Sequence, residues 1–206
     1  MKTRLSVIVL MVSLLLSIAV VTALAAPVQS NVFRFADASV VDGSIATLNR
    51  TPDNVSMTLR TSELDPGGTY TVWWVVFNHP ENCVAGMPGL SNCGEGDIFD
   101  EDMNQIVNGD CTFGTTGLDV SALYAAGNVV GMNGVSNFGG HLQEGKVHGD
   151  VIFGQGLKDT QAAEIHLVVR AHGEIIPGVV NEQISTFMGG CDVNVCVDQQ
   201  FAVFLP

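Results

Sequence analysis

The sequence predicts an all-β chain folded as an antiparallel β-sandwich, and three observations carry that expectation. Apolar and polar residues alternate with period two through most of the chain. Gly, Pro, Asn and Asp punctuate the alternation at short intervals, as turns between strands require. No stretch sustains a helical period; the best is the weak Val120–Ala126, where Asp119 would cap a turn or two of helix.

The first 25 residues read as a secretory leader. Lys2 and Arg4 precede an apolar run from Leu5 to Val21, and Ala23-Leu24-Ala25 forms a small-residue cleavage site, so the mature chain is expected to begin at Ala26. An uncleaved anchor is the alternative, because the run of 17 residues is close to the ~18–20 that span a bilayer. Later apolar runs such as Val72–Phe77 are too short to span, so no stable membrane insertion is expected after cleavage. The remaining 181 residues, Ala26–Pro206, suit one domain with one core.

The strands follow in order. Asn31–Ala38 alternates Val32, Arg34 and Ala36 against Phe33, Phe35 and Asp37; Ser44–Asn49 and Val55–Thr61 come next. Asp65-Pro66-Gly67-Gly68 is a turn into Thr69–Asn78, because Pro presets the first bend and Gly accepts the positive φ of the second. Further strands are Asn128–Met132, Lys146–Phe153, Ala163–His172 and Gln199–Phe204. Thr69–Asn78 differs from the rest: Trp73, Val75 and Phe77 line one face and Val72, Trp74 and Val76 the other, so both faces need cover. The long segment His79–Leu118, folded back and stapled by a disulfide, would supply it; an exposed Trp74 would instead make an aromatic platform for sugar or a second subunit.

Charge and cysteines constrain the partners. The formal net charge is −13, and loss of the leader removes Lys2 and Arg4 but no acidic residue, giving −15. A field of that sign repels phosphate backbones, so no nucleic-acid partner is expected. All five cysteines lie beyond the leader, and in an exported chain they read as disulfides. Cys191–Cys196 and Cys83–Cys93 are the local closures; Cys83–Cys111 and Cys93–Cys111 fit the spacing as well. A leftover Cys111 would be buried or would link two chains into a homodimer. No C-x-x-C or histidine-paired spacing suggests zinc.

Two groups of residues could hold a metal. Asp100, Asp102 and Asn104, with Asp110 beyond them, have the alternating oxygen ligands of a calcium loop, although Gln105 and Cys111 replace the glycine and glutamate of an EF-hand. Calcium is therefore the one cofactor to consider. On Ala163–His172 one face carries Glu164, His166, Val168, Arg170 and His172, and Ile165, Leu167, Val169 and Ala171 face the core. Six residues at ~3.3 Å put His166 and His172 about 20 Å apart, so a transition-metal site would join His166 to His148 and Asp150 of a neighbouring strand. Cross-strand pairing of Glu164 and Arg170 with other charges is the structural alternative. Trp74, Glu164, Arg170 and His172 together form the candidate ligand-binding set. Hydrolase, zinc-protease and phosphate-loop motifs are absent, and Asn49-Arg50-Thr51 and Asn54-Val55-Ser56 fit the glycosylation sequon.

Tyr70-Thr-Val-Trp-Trp-Val-Val-Phe-Asn-His-Pro-Glu-Asn-Cys83, Ala163-Glu-Ile-His-Leu-Val-Val-Arg-Ala-His-Gly173 and Gln199-Gln-Phe-Ala-Val-Phe204 resemble recurring blocks of uncharacterised secreted bacterial proteins, a resemblance that implies no activity. Leu64-Asp-Pro-Gly-Gly-Thr-Tyr70 before a strand more distantly resembles chordin-type (CHRD) domains and copper-zinc superoxide dismutase, which implies a chordin-like or immunoglobulin-like sandwich. In those families the next strand supplies H-x-H; here Trp73 and Trp74 fall there, so the resemblance does not bring the dismutase metal site with it. The expectation is a secreted, periplasmic or cell-surface non-catalytic binding or structural module with an extracellular protein or carbohydrate partner. The alternatives are a metal-binding protein or metal-dependent enzyme using His148 and His166, and a calcium-stabilised carbohydrate binder.

Overall fold

The structure, a computed structural model, describes residues 26–100 and 117–206. Among these residues ten strands form two antiparallel sheets packed face to face. The smaller sheet orders β1 (Val28–Ser30), β3 (Ile45–Arg50), β4 (Asn54–Thr61) and β7 (Ser136–Gln143) as β1-β3-β4-β7. The larger orders β2 (Phe33–Arg34), β10 (Val197–Phe204), β9 (Glu164–Glu174), β5 (Gly68–Phe77), β6 (Val120–Val129) and β8 (Val151–Phe153) as β2-β10-β9-β5-β6-β8. A single turn of helix, α1 (Val180–Gln183), lies in the excursion between β9 and β10.

Between the sheets, Tyr70, Val72, Trp74 and Val76 of β5 and Ile165, Leu167 and Val169 of β9 pack with Leu48, Met57, Leu59, Phe138 and Leu142 of the smaller sheet. The expected turn forms: Gly68 N–H donates to Asp65 O at 2.9 Å, and Gly67 has φ +79°. Cys83–Cys93 and Cys191–Cys196 are both bonded; Cys111 lies outside the described residues.

Four expected elements are corrected, two of them in extent only: of Lys146–Phe153 only Val151–Phe153 is strand, and of Asn128–Met132 only the first two residues, as the end of β6. The segment Val120–Ala126 is strand, not helix: it pairs with β5 along its whole length, which satisfies more backbone groups than an isolated helical turn. Asp119 does not cap it; its backbone has φ +49° and its carboxylate pairs with Lys158. Asn31–Ala38 is not one strand. The chain leaves the smaller sheet after β1, buries Val32 in the core, enters the larger sheet at β2, and turns back where Asp37 Oδ1 accepts the Ser39 N–H. β7 was hidden by Gly139 and Gly140, which interrupt the alternation, and at Gly140 the reason is packing. A Cβ on Gly140 would lie 2.9 Å from Met57 Cε and 3.1 Å from Trp74 Cζ2.

Polar clasps join the sheets. Thr61 Oγ1 donates to Gln200 Oε1 at 2.5 Å, and Gln200 Nε2 donates to Ser62 O. At the other end of the sandwich Arg50 of β3 is buried, and its guanidinium donates to four carbonyls of the opposite sheet's margin: Thr160, Ala163 at 3.0 Å, Phe204 at 3.5 Å and Leu205 at 3.2 Å. Burial pulls its pKa below the ordinary arginine value. Arg50→Met keeps the volume but removes the donors, and should destabilise the fold by about 3 kcal/mol. Urea unfolding reads this as a lower midpoint at unchanged slope. A midpoint equal to wild type would show that the clasp contributes nothing.

Candidate functional site

Strand β9 is the axis of the site. Its inward residues fill the sandwich core, so Glu164, His166, Arg170 and His172 all project from the outer face of the larger sheet. That face is not solvent. Glu164 and His172 are fully buried and His166 nearly so, because two loop excursions lie over them.

The first excursion, residues 79–100, carries two short 3-10 turns and the Cys83–Cys93 disulfide. Asp97 organises it by accepting the N–H groups of Val84, Ala85 and Gly94. Phe77, Ile98, Leu118, Val120 and Phe153 form a second apolar cluster beneath it. Glu164 fastens it to the sheet: its carboxylate accepts the N–H groups of Asn92 and Cys93 at 3.1 Å and the His166 Nε2–H at 2.7 Å. Burial pushes the Glu164 carboxyl up, but the hydrogen bond and charge of His166 and the two backbone donors together outweigh it, and the net shift is downward. Glu164 is therefore an anion. An anionic carboxylate has no proton to give, so Nε2 must carry the hydrogen, and whenever the ring is neutral Nδ1 is an acceptor.

His166 lines a cavity of about 390 Å³. Its walls are mostly apolar, with Phe35, Val75, Met87, Phe99 and Phe201 around the His166 ring, which packs 5.1 Å from Phe77. Glu95 and Asp198 add negative charge to the lining. No hydroxyl or thiol occurs among the described lining residues.

The second excursion, residues 175–196, covers the other half of the face. Phe187 meets Trp73 edge-on at 5.3 Å, and the Arg170 guanidinium lies 3.9 Å over the Phe187 ring while bonding Asp198 at 2.8 Å. Tyr124 OH donates to Ile184 O, whose carbonyl sits so close to Gly127 that a Cβ there would approach within 1.8 Å. Beneath the excursion Trp73 Nε1–H donates to Thr71 Oγ1 at 2.7 Å, Thr71 meets His172 Nε2 at 2.8 Å, and His172 Nδ1 reaches Gly189 O at 2.9 Å. A carbonyl only accepts, so the hydrogen is on Nδ1. Burial, aided by the Arg170 charge, holds the His172 pKa below its ordinary 6.5.

The expected sets map onto this geometry unevenly. Glu164 and His166 form a pair, and Arg170 pairs with Asp198 as cross-strand charge pairing predicts. Trp74 is not a platform; it points into the sandwich core, and Trp73 on the opposite side is covered by Phe187. His148 and Asp150 do not meet His166. β6 and β5 stand between β8 and β9, about 14 Å at ~4.8 Å per strand, and Asp150 instead accepts the Phe187 N–H. Asp102, Asn104 and Asp110 lie outside the described residues, and Asp100 is the last residue described before them. Sequence reasoning missed Thr71, Asp97 and Gly189, whose roles depend on loop positions that alternation does not report.

Glu164 and His172 predict an acid dependence of one sign. Each is less protonated in the fold than in the unfolded chain, so each stabilises above its ordinary pKa and loses that contribution as pH falls toward the depressed value. The melting temperature should hold above pH 6.5, decline below it as His172 is forced to charge, and decline again below 4.5 as Glu164 protonates. Glu164→Gln should melt lower at pH 7 and approach wild type in acid. Parallel curves for the two proteins from pH 7 to 3 would rule out an anionic Glu164. Comparison with protein-family models, curated proteins and solved structures finds no match to the chain.

Proposed function

We propose that this protein is an exported, non-catalytic binding module whose outer-face cavity takes a small, largely apolar molecule that carries a hydrogen-bond donor. One observation carries the reading: His166 stands at an apolar cavity with Nε2 already committed to Glu164 and Nδ1, an acceptor in the neutral ring, uncommitted among the described residues. Mostly apolar cavities with one or two placed polar groups are the usual form of small-molecule sites. The acidic lining and the overall negative charge disfavour anions, so the ligand is a neutral or cationic molecule such as a phenol, alcohol or amine.

Export is supported by the leader-like sequence and by two disulfides, which persist in oxidising compartments. Among the described residues no helix is long and apolar enough to cross a membrane. Together these favour a secreted, periplasmic or cell-surface protein.

A matched pair of probes tests the reading. 4-Propylphenol should bind and shift amide resonances around Phe77, His166 and Phe201, and its methyl ether, which lacks the donor, should bind about tenfold more weakly, the worth of one buried hydrogen bond. His166→Phe should erase that difference. Absence of binding by either probe, or shifts confined to another face, would remove the cavity from consideration.

A further inference from the structure

Beneath the second excursion the structure gathers three ligand-type atoms that the sequence keeps apart. His172 Nδ1 lies 3.6 Å from Cys196 Sγ and 3.8 Å from Cys191 Sγ. The histidine is fully buried on the sheet, whereas both cysteines sit in the partly exposed loop above it. With the disulfide closed, no metal can use these sulfurs. With it open, the spacing is that of a coordination site. A tetrahedral zinc ion with Zn–S of about 2.3 Å and Zn–N of about 2.0–2.1 Å has S···N edges of roughly 3.5 Å and an S···S edge of roughly 3.8 Å. Both S···N edges are thus already in place to within a few tenths of an ångström. The two sulfurs have to part, which rotation of the cysteine side chains beside the largely exposed Asp192–Val195 loop allows, and the Gly189 carbonyl that Nδ1 now meets at 2.9 Å has to yield its place to the metal.

We propose that reduction of Cys191–Cys196 opens a Cys2His site that binds zinc or a similar thiolate-preferring ion, with His172 as the third ligand and the fourth position open to solvent. The reduction is a two-electron step. A dithiol supplies two electrons and two protons and closes to its own disulfide, the Cys191–Cys196 bond breaks, and two thiols form. Zinc then displaces both thiol protons to solvent. His172 releases the Nδ1 proton and takes one up at Nε2, so the ring stays neutral and presents Nδ1 to the metal. Thr71 is placed for that tautomer: its hydroxyl oxygen accepts one hydrogen from Trp73 and has a second lone pair for His172 Nε2–H. Such a partner on the far nitrogen is the usual means of orienting a ligating histidine. The comparable cluster of Cys83, Cys93 and Asp97 lacks this freedom, because the Asp97 carboxylate is occupied by three backbone donors and Cys93 is fully buried. The disulfide and the metal exclude one another, so the site is gated by redox state.

Cobalt titration of the mature protein tests the site, with a phosphine as reductant because dithiols compete for the metal. The reduced protein should take up one cobalt per chain with thiolate-to-cobalt charge-transfer absorption, zinc should displace it, and the oxidised protein should take up none. Cys191→Ser combined with Cys196→Ser should abolish the absorption. His172→Gln should weaken binding by more than the roughly ten- to hundredfold expected for Thr71→Val, which removes only the outer partner. Absence of the absorption in reduced wild type would overturn the proposal, as would its persistence in the double serine variant. Should His172→Gln fail to fold, Thr71→Val decides: affinity equal to wild type overturns the role of His172.

Discussion

Strand β5 is buried on both faces, and the rest of the architecture answers that constraint. A sandwich strand ordinarily needs cover on one side only, with the other left polar. Here Trp74, Val72 and Val76 face the smaller sheet while Trp73, Val75 and Phe77 face outward, so the larger sheet must find a second layer. Among the described residues it has no third sheet to use, and only the single helical turn α1. Two irregular excursions serve instead, and an irregular segment carries backbone N–H and C=O groups that need partners once buried.

Strand β9 supplies those partners. Its outer face places an anion, Glu164, under the first excursion and an imidazole N–H, on His172, under the second. One accepts loop N–H groups and the other donates to a loop carbonyl, which matches what each loop segment leaves unpaired. Each contact lies beside a disulfide: Glu164 holds the backbone of Cys93, and His172 holds Gly189 two residues before Cys191. Covalent closure shortens the loop that must be ordered, and the buried polar contact sets where it lands. The same economy produces both candidate sites. A histidine recruited to hold a loop also stands at each site: His166 lines the cavity, and His172 turns Nδ1, the nitrogen that holds Gly189, toward two sulfurs.

Much of this was legible in the sequence where the signal is local. The alternation through Val55–Thr61, Thr69–Asn78 and Ala163–His172 gives three strands close to their observed bounds, and the Asp65–Gly68 turn follows from its residues alone. The need to cover Trp73 and Phe77 was also legible, as was one of the two covering segments. What failed was local signal overruled at a distance. Val120–Ala126 has weak helical propensity but lies beside the unpaired edge of β5, and pairing decides it. Gly139 and Gly140 break the pattern of β7, and at Gly140 the reason is that Trp74 and Met57 need the space.

The sequence by itself determined the class of fold, the two-sided burial of β5 and the list of titratable residues on the outer face of β9, because each depends on neighbours within a few positions. Tertiary structure alone decided which of those residues meet. It separated His148 from His166 by two strands, turned Trp74 inward, and brought Cys191 and Cys196 over His172, which lies some twenty residues before them in the chain. Strand order and loop return set those distances, and neither is written in the period of the side chains.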